Sequence, residues 1–199
     1  MNRDFWNERF SYETYAYGVS PNDFLRKEAE KLKLGQVLLP AEGEGRNAVY
    51  LASRGWNVRA FDISEEGRTK AKKLASKHGV KVNYKLMSYL DVKYENNFDL
   101  VVCIFNHVLP EHRKEVFGKY IKSLKPGGRI ILEGFHKTQL GMSSGGPKRE
   151  DMLFSEEMIR GDFAGIKIER LNILSRELDE GEFHQGKANV LQMTGVKPL

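Results

Sequence analysis

A chain of 199 residues, 40% of them hydrophobic and 30% charged, has the length and apolar content for one globular domain spanning residues 1–199 with a full core. Its formal net charge of +5 comes from scattered lysines with no basic run interleaved with aromatics, a balance that suits solubility and does not favour a nucleic-acid partner. A single cysteine excludes a disulfide framework or cysteine zinc cluster, the apolar run Leu100–Phe105 is too short to cross a bilayer, and the opening MNRDFWNERF is unlike a signal sequence, so a cytoplasmic protein without membrane contact is expected.

Residues 1–20 hold Phe5, Trp6, Phe10, Tyr12, Tyr15 and Tyr17 among charged side chains. Such an aromatic arm suits a lid that is apolar toward a ligand and wet behind, or equally an N-terminal segment packed on the domain. Tyr17–Asn22 then breaks the chain, and Asn22 or Asp23 caps a helix through about Leu32. The stretch VLLPAEGEGRN follows: an apolar strand at Val37–Leu39, a turn bearing Gly43 and Gly45, and a helix that runs from Asn47 until Gly55 stops it. Glycine at such a crossing lets the chain turn sharply and lets a ligand approach the main chain at the tip of the first strand.

Trp56–Phe61 reads as a second strand ending at Asp62, and Ser64 begins a helix whose Ala71, Leu74, Ala75 and His78 share one face. Asp62 lies about 20 residues beyond the glycine turn, the spacing at which a carboxylate accepts ribose hydroxyls; capping the following helix is its alternative role. Val80–Leu86 is a third strand with Met87–Leu90 at its carboxyl end, and Phe98–Phe105, apolar on both faces, a central fourth, in which Cys103 is core packing. Pro110 opens a helix that Lys125–Gly128 ends, and Arg129–Glu133 is a fifth strand. This alternation argues for right-handed crossovers and a parallel sheet. Lys137–Arg149, rich in glycine and serine, reads as a mobile loop near the site. Ser155 caps a short helix, and the runs Ile166–Leu178 and Gly186–Val196 are short enough in their connection to form an antiparallel pair at one sheet edge.

VLLPAEGEGRNAVYLA, the acid of FDIS, FDLVVCIF, LKPGGRIILEGF and the closing strand pair together resemble a class I S-adenosylmethionine-dependent methyltransferase over essentially the whole chain. FWNERF, YAYGVSPNDFL and GEFHQGKA are similar to the tellurite-resistance-type small-molecule enzymes, with a weaker likeness to the thiopurine type. The resemblance implies a Rossmann-like, mostly parallel seven-stranded sheet with helices on both faces and an antiparallel last strand. It also implies S-adenosylmethionine as cofactor. Glu42, Gly43 and Gly45 would embrace its methionine part, Asp62 and Ile63 its ribose side, Ser88 and Tyr89 its adenine, with Ile104 and Phe105 lining the methionine portion. His184 is the first candidate base and His107 the second, while Glu133 could orient an acceptor or simply bond to backbone amides. Trp6, Tyr17 and Gln185 would meet a small-molecule acceptor, such as a thiol or another chalcogen nucleophile. Leu39 stands where the family usually has an acid, Ala41 where its first glycine is common, Ser88 where an aspartate often sits, and Gln185 where an arginine handles an anionic acceptor.

Gly43-x-Gly45-x-x-Ala48 also satisfies a dinucleotide fingerprint. Glu42 and Glu44 would repel a pyrophosphate there and attract a sulfonium or an ammonium. A non-catalytic cofactor-binding module and an RNA methyltransferase are further alternatives. The stretch Asn106–Pro110 lacks an aromatic base-gripping run, which ranks RNA lower. No metal is called for, and a monomer or a homodimer fits equally.

Overall fold

The alternation of buried side chains along the strands decides the layers of this computed structural model, which describes residues 2–199. Along β1 (Gln36–Pro40), Val37 and Leu39 face one side, packing with Leu100 and Val102 of β4 (Phe98–Ile104) and with Val58 and Ala60 of β2 (Asn57–Asp62). Leu38 faces the other side with Val101, Cys103 and Phe61. Helices α2 (Asp23–Ala29), α3 (Arg46–Ser53) and α4 (Glu65–Lys77) cover the first face through Phe24, Leu25, Ala48, Leu51 and Ala71. α5 (Pro110–Ser123) and α6 (Glu156–Asp162) cover the second through Val116, Phe117, Tyr120 and Ile159. Each fully buried leucine, Leu38 and Leu39 among them, contributes about 1.5–3 kcal/mol of apolar transfer.

With β3 (Asn83–Leu86), β5 (Leu124–Phe135), β6 (Lys167–Asp179) and β7 (Gln185–Val196), the sheet has the order β3-β2-β1-β4-β5-β7-β6. β1 to β5 run parallel; β7 runs against both neighbours, β5 and β6. The expected fold class and closing antiparallel pair are therefore present. β5 starts at Leu124 rather than Arg129, because Leu124 already pairs with Phe98 ahead of a register shift.

The amino-terminal arm contains a helix, α1 (Arg3–Phe10), capped by Asn2 and packed on α4, where Asn7 Oδ1 accepts from Ser64 Oγ at 2.8 Å and Glu65 N at 3.0 Å. The glycine- and serine-rich segment 137–149 differs from a free loop. Buried Gln139 and Ser144 anchor it, Gln139 accepting from Asn189 N at 2.8 Å and Ser144 Oγ donating to Lys187 O at 2.7 Å. Among the described residues no helix is long and apolar enough to cross a membrane, and no group of three or more His, Cys, Asp or Glu side chains is placed to hold a metal ion.

Candidate active site at the carboxyl ends of the central strands

β1 leaves the sheet into a turn whose backbone is left-handed at Ala41 (φ 49°), Gly43 (58°) and Gly45 (86°). Of the three non-glycine residues with such backbone among those described, Ala41 and Phe105 (φ 51°) both lie here, at the mouths of β1 and β4, where strain of about 1–3 kcal/mol per residue marks a functional site. The glycines are needed for packing: a Cβ on Gly43 would lie 3.0 Å from Phe10 Cζ, and one on Gly45 2.6 Å from Ala71 Cβ. Glu42 folds back to cap α3, its Oε1 accepting from Asn47 N and Ala48 N, both at 2.8 Å. Its Oε2 has only a 3.5 Å contact with the Asn47 amide. Burial pushes the Glu42 pKa up to about 7, against the lowering effect of these bonds and of Arg46.

Asp62 ends β2 with both oxygens engaged, Oδ2 by Gly43 N at 3.0 Å and Oδ1 by Ser64 N at 2.8 Å. Burial raises its pKa to about 6, with those amides pulling the other way. Asp62 thus ties the glycine turn to the start of α4, which Ser64 itself caps through Gly67 N.

Across the mouth of β4 runs a wall of rings. Trp6 stacks on Phe10 at 5.4 Å between centroids, Phe10 meets Tyr17 edge-on at 6.3 Å, and Tyr17 lies 4.5 Å from His184. Phe105 is 4.4 Å from His184 and 4.6 Å from Phe135. Arg9 secures the outside, its guanidinium 3.8 Å over the Phe183 ring and donating to Tyr17 Oη at 3.1 Å. The arm is clamped by Lys70, which donates to Tyr12 O and Thr14 O at 2.8 and 2.6 Å and lies 2.5 Å from Glu44. Glu44 is sealed, paired with Lys70 and faced by the main-chain amides of Ala16 and Tyr17. Burial raises its pKa, with Lys70 opposing.

Behind the wall lies a buried polar network. Glu133 accepts from Asn22 Nδ2 at 2.7 Å and pairs with Arg176 at 3.0 Å, Gln192 donating to its second oxygen. Glu180 pairs with Arg46 at 2.7 Å and also with Arg176, and accepts from Asn22 at 3.2 Å. Two acids, two guanidiniums and two amides from five parts of the chain are thereby mutually satisfied, the condition under which buried charge is tolerated.

Residues 37–128 match the family described as "Methyltransferase domain". A Ubiquinone biosynthesis O-methyltransferase of Rickettsia conorii is 29% identical over 99 residues, 49% of this chain and 34% of that one. Over residues 37–128 this chain is similar to a methyltransferase domain. Among solved structures, a protein described under the conversion of a disulfide bond into a thioacetal group during echinomycin biosynthesis superposes with a TM-score of 0.80 at 16% identity, over 99% of this chain and 90% of that one. TehB from Haemophilus influenzae superposes with a TM-score of 0.74 at 16% identity, over 98% of this chain and 66% of that one.

Most of the residues singled out in the sequence lie at one end of the sheet. Glu42, Ile63, Ser88, Tyr89, Ile104 and Phe105 are partly exposed and follow or end β1 to β4 on the carboxyl side of the sheet. This donor set fits S-adenosylmethionine: the under-used Oε2 of Glu42 is a carboxylate oxygen of the kind an α-ammonium needs, and the chain leaving β3 toward Ser88 and Tyr89 runs beside Asp62 and Ile63. Glu44, by contrast, turns to Lys70, so of the two turn carboxylates only Glu42 offers charge on that side. His184 and Tyr17 meet in the ring wall, whereas Trp6 reaches it only through Phe10.

Two candidates stand apart. His107 uses both ring nitrogens on main chain, Nδ1 on Met152 O at 2.8 Å and Nε2 accepting from Phe135 N at 3.1 Å. Burial drives its pKa down to about 4, so it stays neutral as a splint between β4 and β5, without a nitrogen free for a substrate proton. Gln185 is exposed and donates to Asp179 at 2.9 Å, on the outside of the hairpin. Glu133 takes neither of its two expected roles: it pairs with Arg176 and accepts from side-chain amides inside the network. Sequence reasoning named Phe10 only as part of the aromatic arm and missed Phe135 and Glu180 as site residues. Only the spacing of Glu180 and His184, four residues apart in one turn, was a visible signal.

Proposed function

We propose that this domain transfers a methyl group from S-adenosylmethionine to a small nucleophilic acceptor, in first place a thiol, seated against Tyr17, Phe105, Phe135 and His184. The observation that carries the proposal is Phe105, which directly follows β4 on the proposed donor side and places its ring 4.4 Å from His184. Donor and acceptor spaces thus share one wall.

When bound, S-adenosylmethionine supplies a methyl group already activated on a sulfonium, so the protein's task is alignment and exclusion of water. Glu42 would hold its amino group, and Asp62, already tied to the turn, its ribose hydroxyls. Apolar rings strip water from the acceptor. Burial lowers the His184 pKa, with Arg46 and Arg176 assisting and Glu180 opposing, so the imidazole is uncharged at neutral pH and able to take a proton from a thiol. A neutral amide at Gln185, turned outward, gives an inorganic oxyanion no guanidinium clamp.

A phenolic hydroxyl is the second reading. It is favoured by the named O-methyltransferase relative, of which the chain spans about a third, and by the stacking that flat rings offer. Turnover with methyl-labelled donor over a panel of thiols, phenols, tellurite and RNA tests the proposal. Label on a thiol or phenol supports it. Donor binding without transfer to any of them would make the domain a binding module, and label on RNA would move it to another class.

A further inference from the structure

We propose that Glu180 is a positioning residue: its carboxylate, fixed by Arg46 and Arg176, faces Nδ1 of His184 and keeps the imidazole proton on Nδ1, leaving the Nε2 lone pair for the acceptor's proton. This rests on the reading of His184 as the base. Of the two ring nitrogens, Nδ1 is the one sealed from solvent without a hydrogen-bond partner, and the carboxylate oxygen facing it, Glu180 Oε2, lies at 3.6 Å, too long for a hydrogen bond.

Two species can face a carboxylate across such a gap, an N–H dipole or a bare lone pair. Between a lone pair and an anionic oxygen in a low-dielectric pocket the interaction is repulsive, and between an N–H and that oxygen it is attractive. The neutral ring therefore carries its proton on Nδ1. Nε2 makes no hydrogen bond, yet it is not among the sealed atoms, so it keeps access to the acceptor space. Thiol proton transfer then runs from S–H to Nε2. The sulfur lone pair forms the new C–S bond as the bond from methyl carbon to sulfonium breaks, and the resulting imidazolium points its Nδ1–H at Glu180.

The surroundings keep Glu180 ionised. Burial acts to raise its pKa, but Arg46 and Arg176, both paired with the carboxylate, hold the carboxyl well below the usual range. Every other element against the ring is accounted for. The arm presents Tyr17, whose hydroxyl accepts from Arg9. β4 and β5 present Phe105 and Phe135, with neutral His107 stacked behind Phe135. Glu133 is occupied by Arg176, Asn22 and Gln192. Gly145 of the anchored loop closes the Cδ2 edge, where a Cβ would come within 2.7 Å. Glu180 is the acid left to choose the tautomer.

Nitrogen NMR of histidine-labelled protein, recorded without cofactor and assigned with His184→Gln, tests this. Wild type should show His184 protonated on Nδ1 with a pyridine-type Nε2. Glu180→Gln should move the proton toward Nε2 and lower kcat with a thiol about tenfold or more, leaving thiol KM and donor Kd within about twofold. Glu180→Asp, which keeps the charge, should retain the Nδ1–H form. A wild-type ring protonated on Nε2, or a folded Glu180→Gln protein with an unchanged tautomer, overturns the proposal. If Glu180→Gln does not fold, the wild-type and Glu180→Asp spectra still decide. Absence of methyl transfer to any acceptor would sink the proposed function instead, and leave the tautomer result readable.

Discussion

The glycine turn and the ring wall meet at Phe105 but are assembled in opposite ways. Consecutive residues build the turn: backbone torsions at Ala41, Gly43 and Gly45, with Glu42 capping the helix that follows and Asp62 bonding across from the next strand. Side chains from α1, the segment after it, β4, β5 and the β6–β7 hairpin build the wall, where His184 alone touches Tyr17, Phe105 and Phe135. Substitutions in the turn should therefore act on donor binding and stability together, and substitutions in the wall on turnover.

The sharpest separation is His184→Ala. It should lower kcat by about 10²–10⁴-fold while donor affinity stays within about twofold. Equal loss of both would make His184 a packing residue and erase the distinction between the two regions. Next comes Asp62→Ala, which should weaken donor binding by about 1.5–3 kcal/mol in calorimetry, as expected for a lost charge-assisted acceptor. Because Asp62 also bonds Gly43 N and Ser64 N, its urea midpoint should fall as well. Unchanged affinity would show that Asp62 only ties the turn.

A smaller effect sits on Glu42. Its folded pKa, about 7, lies above the ordinary glutamate value of 4.5, so its contribution to stability is full below about 4.5 and is lost as pH rises through about 7. The melting temperature of wild type minus that of Glu42→Gln should fall across that window. Affinity for an ammonium-bearing donor should rise over the same interval in wild type and stay flat in the variant. A pH-independent difference would remove Glu42 from the donor site. Smallest is Gln185→Ala: exposed and bonded to Asp179 alone, it should change stability by less than about 0.5 kcal/mol and leave turnover unaltered.

The same contrast explains what could be read before the structure. Strand and helix alternation, the glycine turn and the acid that ends β2 are local, so Val37–Asn47 and Asp62 could be placed at the carboxyl ends of β1 and β2 from their spacing. The glycines' reason was not legible, since Phe10 and Ala71, the atoms a Cβ would strike, come from other segments. Nor was the fate of Glu44, which depends on Lys70 reaching across from α4. His107 looked like a candidate base because it follows β4, but its two main-chain bonds to Met152 and Phe135 exist only once distant segments pack. Glu180 and Arg176 carry no motif; their roles arise from the hairpin folding back over Arg46.

Calorimetric titration of the wild-type protein with S-adenosylmethionine, and separately with nicotinamide dinucleotides, tests the central claim most directly. The account predicts saturable binding of the sulfonium donor, weakened in Glu42→Gln, and none of the dinucleotides, whose pyrophosphate would meet the Glu42 carboxylate at the start of α3. Binding of a dinucleotide with no response to S-adenosylmethionine would contradict it.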